Sequence, residues 1–237
     1  MESIGIIGAM PSEVDHLTAR LTEPTVTEVA GRRFVQGRLG QHRAVVVQSG
    51  IGKVNAAVTA QLLIDRFAPD ALINTGMAGG LAPELAVKDL VIGTEAVQHD
   101  FDITAFGHAP GYIGPGGDDR QPTVFTADPM LVAAAGKVAQ RVLPAGSRAI
   151  CGRIASGDIF VDDSALKARI RTRFGAAAAE MEGAAIAQTA AANGVPFLIL
   201  RTISDLAERQ ASVSSDELEY YVGRLAGDIT AALLEEI

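Results

Sequence analysis

Short apolar runs that end in small or acidic residues, each followed by a stretch of helical periodicity, constrain this chain more than any other feature. Ile4–Gly8 is the first such run and predicts a buried strand. Pro11 then suits the first position of a helix reaching about Leu21. After Ser49-Gly50-Ile51-Gly52-Lys53, the stretch Val54–Phe67 places Val58, Leu62, Leu63 and Phe67 on a helical face. Ala71–Thr75 and Leu90–Val97 are expected strands flanking a glycine-rich turn, and Ala149–Ala155, Ala177–Met181 and Phe197–Ile203 are further strands. Between and after them run expected helices: Pro129–Val142 capped by Asp128, Ser164–Phe174, Glu182 to about Asn193, and Ser215–Glu236. Strands alternating with helices imply right-handed crossovers and a largely parallel sheet covered on both faces. An expected hairpin, Arg33–Leu39 and Arg43–Gln48 around Gly40-Gln41, makes the sheet mixed. The fold class is therefore α/β. With no linker, internal repeat or low-complexity tract, residues 1–237 read as one domain. Residues 107–123 carry several Gly and Pro without periodicity and predict a long loop, a length that is usually functional or interfacial.

Charge and composition exclude several classes of function. A net charge of −8 argues against a nucleic-acid binder, whose footprint would be basic. A hydrophobic content of 48% is too high for a disordered chain. The longest apolar stretch, Gly183 to Leu200, is interrupted by Gln188, Asn193 and Pro196, which is no membrane span. The start of the chain lacks a cationic segment and turns polar at Ser12-Glu13, unlike a secretory signal, so a cytoplasmic location is expected. Cys151 stands alone, without a partner for a disulfide or a cysteine metal cluster, and reads as a small strand residue. His99-Asp100-Phe101-Asp102 has metal-ligating residue types but no matching further ligands, so no metal is expected.

Three acids stand where apolar runs give way to small residues or to a helix: Glu13, Glu182 and Asp205. Open α/β sheets collect ligands at the carboxyl ends of their strands, so three acids there point to one site for acid–base chemistry. Each also has an ordinary reading. Glu13 and Glu182 suit the first turn of a helix, and Asp205 suits a cap or turn.

The motifs Gly5-Ile6-Ile7-Gly8-Ala9-Met10, Ser49-Gly50-Ile51-Gly52-Lys53, Asn74-Thr75-Gly76 with Ala78-Gly79-Gly80-Leu81, Ser156-Gly157-Asp158, Glu180-Met181-Glu182 and Ile203-Ser204-Asp205 occur in that order. Together they resemble the 5′-methylthioadenosine/S-adenosylhomocysteine nucleosidases of the nucleoside phosphorylase superfamily. The resemblance implies a mixed sheet or distorted barrel flanked by helices, no cofactor, an adenine nucleoside as ligand, and a homodimer whose 103–115 loop contributes to the partner's pocket. It implies that Asp205 is the acid serving adenine N7, and burial at an apolar strand end would keep it protonated. Glu13 resembles the base that activates water, and the helix start would favour its ionised form. Glu182 resembles the residue that takes both ribose hydroxyls and stabilises the sugar cation. Phe160 matches the aromatic that stacks on adenine, with Val161 offering backbone contacts to the base edge. Ile51 and Met181 match apolar walls, Met10 is a further wall residue, and Arg201 and Ser204 are expected to orient Asp205. Ile103, Phe106 and His108 match positions that line the partner's 5′ pocket, though a solvated loop histidine is an equal reading of His108.

Three features depart from the family pattern. Met77 stands where many relatives carry Ser, and Ser215 replaces an aromatic, with Ser214 and Glu217 forming a plausible capping box. The loop His108-Ala109-Pro110-Gly111-Tyr112-Ile113 resembles members acting on 6-amino-6-deoxyfutalosine, which leaves the 5′ substituent open. A phosphorylase must hold a dianionic phosphate, normally with arginines and a hydroxyl. Here the first glycine loop supplies Glu13, Met77 has no hydroxyl, and Leu72–Leu81 contains no Arg, so hydrolysis is favoured. Phosphorolysis and a non-catalytic nucleoside-binding protein are the competing readings.

Overall fold

The computed structural model describes residues 1–114, 117–205 and 215–237, the side chains of the last segment from residue 217. Among the described residues it holds ten strands and six α-helices. In chain order these are β1 Ser3–Gly8, α1 Pro11–Ala19, β2 Thr22–Val29, β3 Arg32–Leu39, β4 His42–Gln48, α2 Lys53–Phe67, β5 Ala71–Gly80 and β6 Leu90–Gln98. Then come β7 Phe125–Thr126, α3 Pro129–Val142, β8 Ala149–Ser156, α4 Ser164–Phe174, β9 Ala176–Glu180, α5 Gly183–Ala192, β10 Phe197–Asp205 and α6 Ser215–Glu236.

Five strands close on themselves. β5 pairs with β10, β10 with β6, β6 with β8, β8 with β9, and β9 returns to β5. The sheet continues outward from β5 through β1, β4, β3 and β2. The result is the mixed sheet and distorted barrel expected from the sequence, with β1, β4, β5 and β10 parallel and the β3–β4 hairpin antiparallel. Helices cover both faces. One apolar cluster joins Ile4 and Ile6 to Val14 and Leu17 of α1, Leu131 and Val138 of α3, and Ile229 and Leu233 of α6. On the other face Ile7, Val45 and Val47 meet Ala56, Ala60 and Leu63 of α2 and Ala184, Ala187 and Ala190 of α5. Small residues allow that approach: a β-carbon on Gly5 would collide with Leu63 and Leu72.

Two expectations change. The glycine-rich segment after Thr75 is not a turn but the continuation of β5 to Gly80, because Gly79 and Gly80 pair with Ala179 and Ala178 and close the barrel. β2 went unrecognised because its residues, TEPTVTEV, are nearly all exposed at the sheet edge and include Pro24, so they lack an apolar face. The first helix stops at Ala19, two residues short of expectation, and α3, α4 and α6 have the expected bounds. Asp128 caps α3 by accepting hydrogen bonds from the Met130 and Leu131 amides. The capping box expected at Ser214 lies outside the described residues.

Candidate active site

Glu13 is set by the tight passage from β1 into α1. Its Oε2 accepts hydrogen bonds from the amides of Ala9 (2.6 Å) and Met10 (3.1 Å), and its Oε1 from the amide of Met77 on β5 (2.9 Å). The side chain is buried. Gly76 makes room for it: a β-carbon there would overlap both Glu13 Oε1 and Arg201 Nη1. Burial pushes the Glu13 carboxyl above its ordinary value, opposed by the Arg201 charge and the three amides. This corrects the expectation drawn from the helix start alone. Desolvation outweighs the helix dipole here, so the ionised group is a stronger base.

Arg201, on β10, is fully enclosed. It donates to Glu180 through Nε (3.1 Å) and Nη2, and through Nη2 to Asn74 Oδ1 (2.5 Å), while Glu182 Oε2 lies 3.7 Å away. Asn74 in turn donates to the carbonyl of Ile7 (3.0 Å). The expected role of Arg201 in orienting Asp205 is therefore corrected: its guanidinium serves Glu180 and Asn74 and faces Glu13 and Glu182.

Glu180 is the residue the sequence expectation missed. It ends β9, accepts from the amides of Glu182 (3.1 Å) and Gly183 (2.8 Å), and takes the hydroxyl hydrogen of Ser156. Ser156 Oγ accepts from the Ala184 amide (2.7 Å), so the start of α5 is capped by two side chains that precede it. Its signal was present: Glu180 closes the small-residue run of β9 two residues before Glu182, which opens α5, so two acids flank one strand-to-helix junction.

Glu182 is buried, and its Oε1 accepts from the amide of Gly52 (2.9 Å), at the start of α2. Burial and the neighbouring Glu180 charge push its carboxyl up to about 7, against the pull of Arg201. Three buried carboxylates thus surround one guanidinium, a field that disfavours a phosphate dianion and suits water.

Asp205 closes β10 beside a register shift, with Oδ1 3.3 Å from where a Gly79 β-carbon would sit. It accepts the Ser204 hydroxyl (2.9 Å), as expected, but it is half-buried rather than buried. Met77 and Gly79 lie two apart on β5, so this strand carries the amide that holds Glu13 and the gap that admits Asp205. Arg201 stands between Glu13 and Glu182, and the three acids gather along the Gly76–Gly79 segment of β5.

The remaining expected residues divide by exposure. Val161 is buried under the α4–β9 layer. Met10, Met77, Met181 and Ile103 are half-buried, whereas Ile51, Phe160 and Phe106 stand out at 54, 68 and 80% exposure. A core role for Phe160 is thereby excluded. His108 stacks on Tyr112 with ring centres 4.9 Å apart and lies 3.4 Å from Asp119.

A closed five-stranded barrel with a buried cluster of acids around one guanidinium defines an enzyme-like site equipped for acid–base chemistry. The phosphorylase superfamily model matches residues 3–237. A 5′-methylthioadenosine/S-adenosylhomocysteine nucleosidase from Shewanella pealeana is 44% identical over 236 residues, with 99% of each chain covered. The Neisseria meningitidis nucleosidase of that name, solved in complex with methylthio-immucillin-A, superposes with a TM-score of 0.92 at 38% identity, covering all of both chains. A futalosine hydrolase from Helicobacter pylori superposes with a TM-score of 0.89 at 31% identity, covering 100% of this chain and 98% of its own. The chain belongs to the 5′-methylthioadenosine/S-adenosylhomocysteine nucleosidase family of the phosphorylase superfamily.

Proposed function

We propose that this site hydrolyses 5′-substituted adenine nucleosides, namely methylthioadenosine, S-adenosylhomocysteine and 5′-deoxyadenosine, to adenine and a 5′-substituted ribose. The C1′–N9 bond breaks through an oxocarbenium-like sugar, whose leaving base needs a proton and whose positive carbon needs a nucleophile. Asp205 delivers or shares a proton at adenine N7, with Ser204 fixing its carboxyl. Glu13 takes the proton from the water that adds to C1′. Glu182 accepts both ribose hydroxyls, and its charge stabilises the cation. Phe160 stacks on the base, Val161 supplies backbone contacts at its edge, and Ile51, Met10, Met77 and Met181 wall the sugar.

The observation that carries the reading is the linkage of Glu13 and Glu182 through the buried Arg201, with Asp205 two or three residues further along the same stretch of β5, Gly76–Gly79. Adenine release from methylthioadenosine in phosphate-free buffer tests it. Asp205→Asn, which removes the proton donor, is expected to lower kcat by about 10²–10⁴-fold. Strict dependence on phosphate, with ribose 1-phosphate as product, would instead establish a phosphorylase. Tight ligand binding without adenine release would establish a binding protein.

A second substrate, 6-amino-6-deoxyfutalosine, is favoured by the loop His108–Ile113 and by the likeness to a futalosine hydrolase. Side-by-side kcat/KM values on the four nucleosides decide between them.

The reading extends to a homodimer in which the 103–115 loop reaches the partner's pocket. Exposed Phe106, Val54, Val58, Ile51 and Phe160 support it, since such apolar residues favour a covered surface. Pro115 of that loop lies outside the described residues. Sedimentation at micromolar concentration tests the dimer, and Val54→Asp is expected to yield monomers. Cys151, free and exposed, suits a reducing compartment and a cytoplasmic enzyme.

A further inference from the structure

Three residues that the proposed chemistry leaves without a role are interlocked at the mouth of the site. Lys53 Nζ donates to Asp100 Oδ1 at 2.6 Å and to Gln98 Oε1 at 2.9 Å. Asp100 Oδ2 accepts the backbone amide of Asp158 at 2.8 Å, and Asp158 Oδ1 accepts the backbone amide of Lys53 at 2.8 Å. The ring so formed joins the start of α2, the segment after β6, and the loop after β8. The Lys53–Asp100 pair is mostly enclosed, with side-chain exposures of 16 and 15%.

The ring sits between the two halves of the nucleoside site. Gly52 and Lys53 are consecutive, and their amides point to different partners: Gly52 to Glu182 on the ribose side, Lys53 to Asp158 on the base side. Gly52 reaches this geometry at φ +99°, where a side chain would be strained, and a β-carbon would press on Asp158 Oδ1 at 3.1 Å. Beyond Asp158 the loop runs through exposed Phe160 to buried Val161. Asp158 and Val161 are thus the two fixed points on either side of the aromatic.

We propose that Asp100 is a positioning residue: by accepting both Lys53 Nζ and the Asp158 amide, it holds the base-side loop 157–161 in register with Glu182. This rests on the adenine-nucleoside reading above. Asp100 must satisfy two donors at once with two oxygens, and an amide cannot, because its nitrogen would face a donor. Asp158, by contrast, needs one side-chain acceptor, which asparagine retains.

That asymmetry supplies the test. KM and kcat for methylthioadenosine and the dissociation constant of adenine are measured for wild type, Asp100→Asn, Asp158→Asn and Asp158→Ala. Asp100→Asn and Asp158→Ala are expected to raise KM and the adenine dissociation constant about tenfold, the effect of one or two lost charge-assisted bonds, with kcat within about threefold. Asp158→Asn is expected to stay within about twofold on both constants. Should Asp100→Asn fail to fold, Lys53→Met removes the ammonium while keeping the backbone amide, and the same tenfold weakening is expected. Wild-type constants in Asp100→Asn, or equal weakening in Asp100→Asn and Asp158→Asn, overturn the proposal. A fall in kcat and in unfolding midpoint with unchanged adenine binding overturns it too, since that is a purely structural effect. If wild type releases no adenine from any nucleoside, the hydrolase reading fails, and the adenine dissociation constants still decide the role of Asp100.

Discussion

Gly76→Ala probes the architecture of the site with a single methyl group. A β-carbon at residue 76 would sit 2.8 Å from Glu13 Cδ and closer still to Glu13 Oε1 and Arg201 Nη1, whereas ordinary van der Waals contact begins near 3.4 Å. The carboxyl must therefore retreat by about 0.6 Å or more, stretching the bonds it accepts from the amides of Ala9 and Met77. Misplacing a reacting group by about 1 Å costs on the order of 10²-fold, so kcat is expected to fall about 10- to 100-fold. Overpacking of this kind also costs about 1–3 kcal/mol, or about 2–12 °C in Tm for a chain of this size. Gly5→Ala is the matched control. Its β-carbon would strike Leu63 and Leu72 in the apolar layer, far in chemistry from the acids. It is expected to lower Tm comparably while kcat of the folded fraction stays within about twofold. A Gly76→Ala enzyme with wild-type kcat, or a Gly5→Ala enzyme with an equal kcat loss, would refute the argument that Gly76 makes room for the base.

Further outcomes follow from the charge cluster and the caps. Glu182 ionises near pH 7 in the fold because it is buried beside Glu180. The kcat/KM profile of methylthioadenosine cleavage is therefore expected to rise through about pH 7, and Glu180→Gln to move that limb to lower pH. A limb that stays in place would show that Glu180 does not set the charge on Glu182. The same shift bears on stability. A carboxyl raised from 4.5 unfolded to about 7 folded binds more protons in the native state between those values. Its contribution is complete below pH 4.5 and is lost as pH rises through about 7. Glu182→Gln is expected to flatten the decline of unfolding free energy between these pH values in denaturant titrations. Asp128→Ala, which leaves the amides of Met130 and Leu131 uncapped, is expected to cost about 1 kcal/mol while activity is retained.

Much of the fold was legible because local signals agreed with the global one. Proline at the start of α1, aspartate before α3 and long apolar runs each reported an element that packing then reinforced. β2 was hidden because an exposed edge strand needs no apolar face, and the end of β5 because barrel closure demands glycines that otherwise read as a turn. In the site, the motif order singled out the acids as candidates, but their electrostatics depended on neighbours distant in sequence. Glu13 was expected to be governed by its own helix, yet it is governed by burial against β5 and Arg201. Arg201 was assigned to its neighbour four residues along the strand, while its partners are Glu180 and Asn74, 21 and 127 residues away. Two acids flanking one strand-to-helix junction, Glu180 and Glu182, were the one local clue that a further acid joined the cluster.

The central claim is that three acids from distant parts of the chain act on one nucleoside with water as the nucleophile. Mass analysis of the sugar released from methylthioadenosine in phosphate buffer tests it most directly. Free 5-methylthioribose, formed at the same rate with and without phosphate and suppressed in Glu13→Gln, is the predicted result. A sugar 1-phosphate, or a rate that Glu13→Gln leaves unchanged, would contradict it.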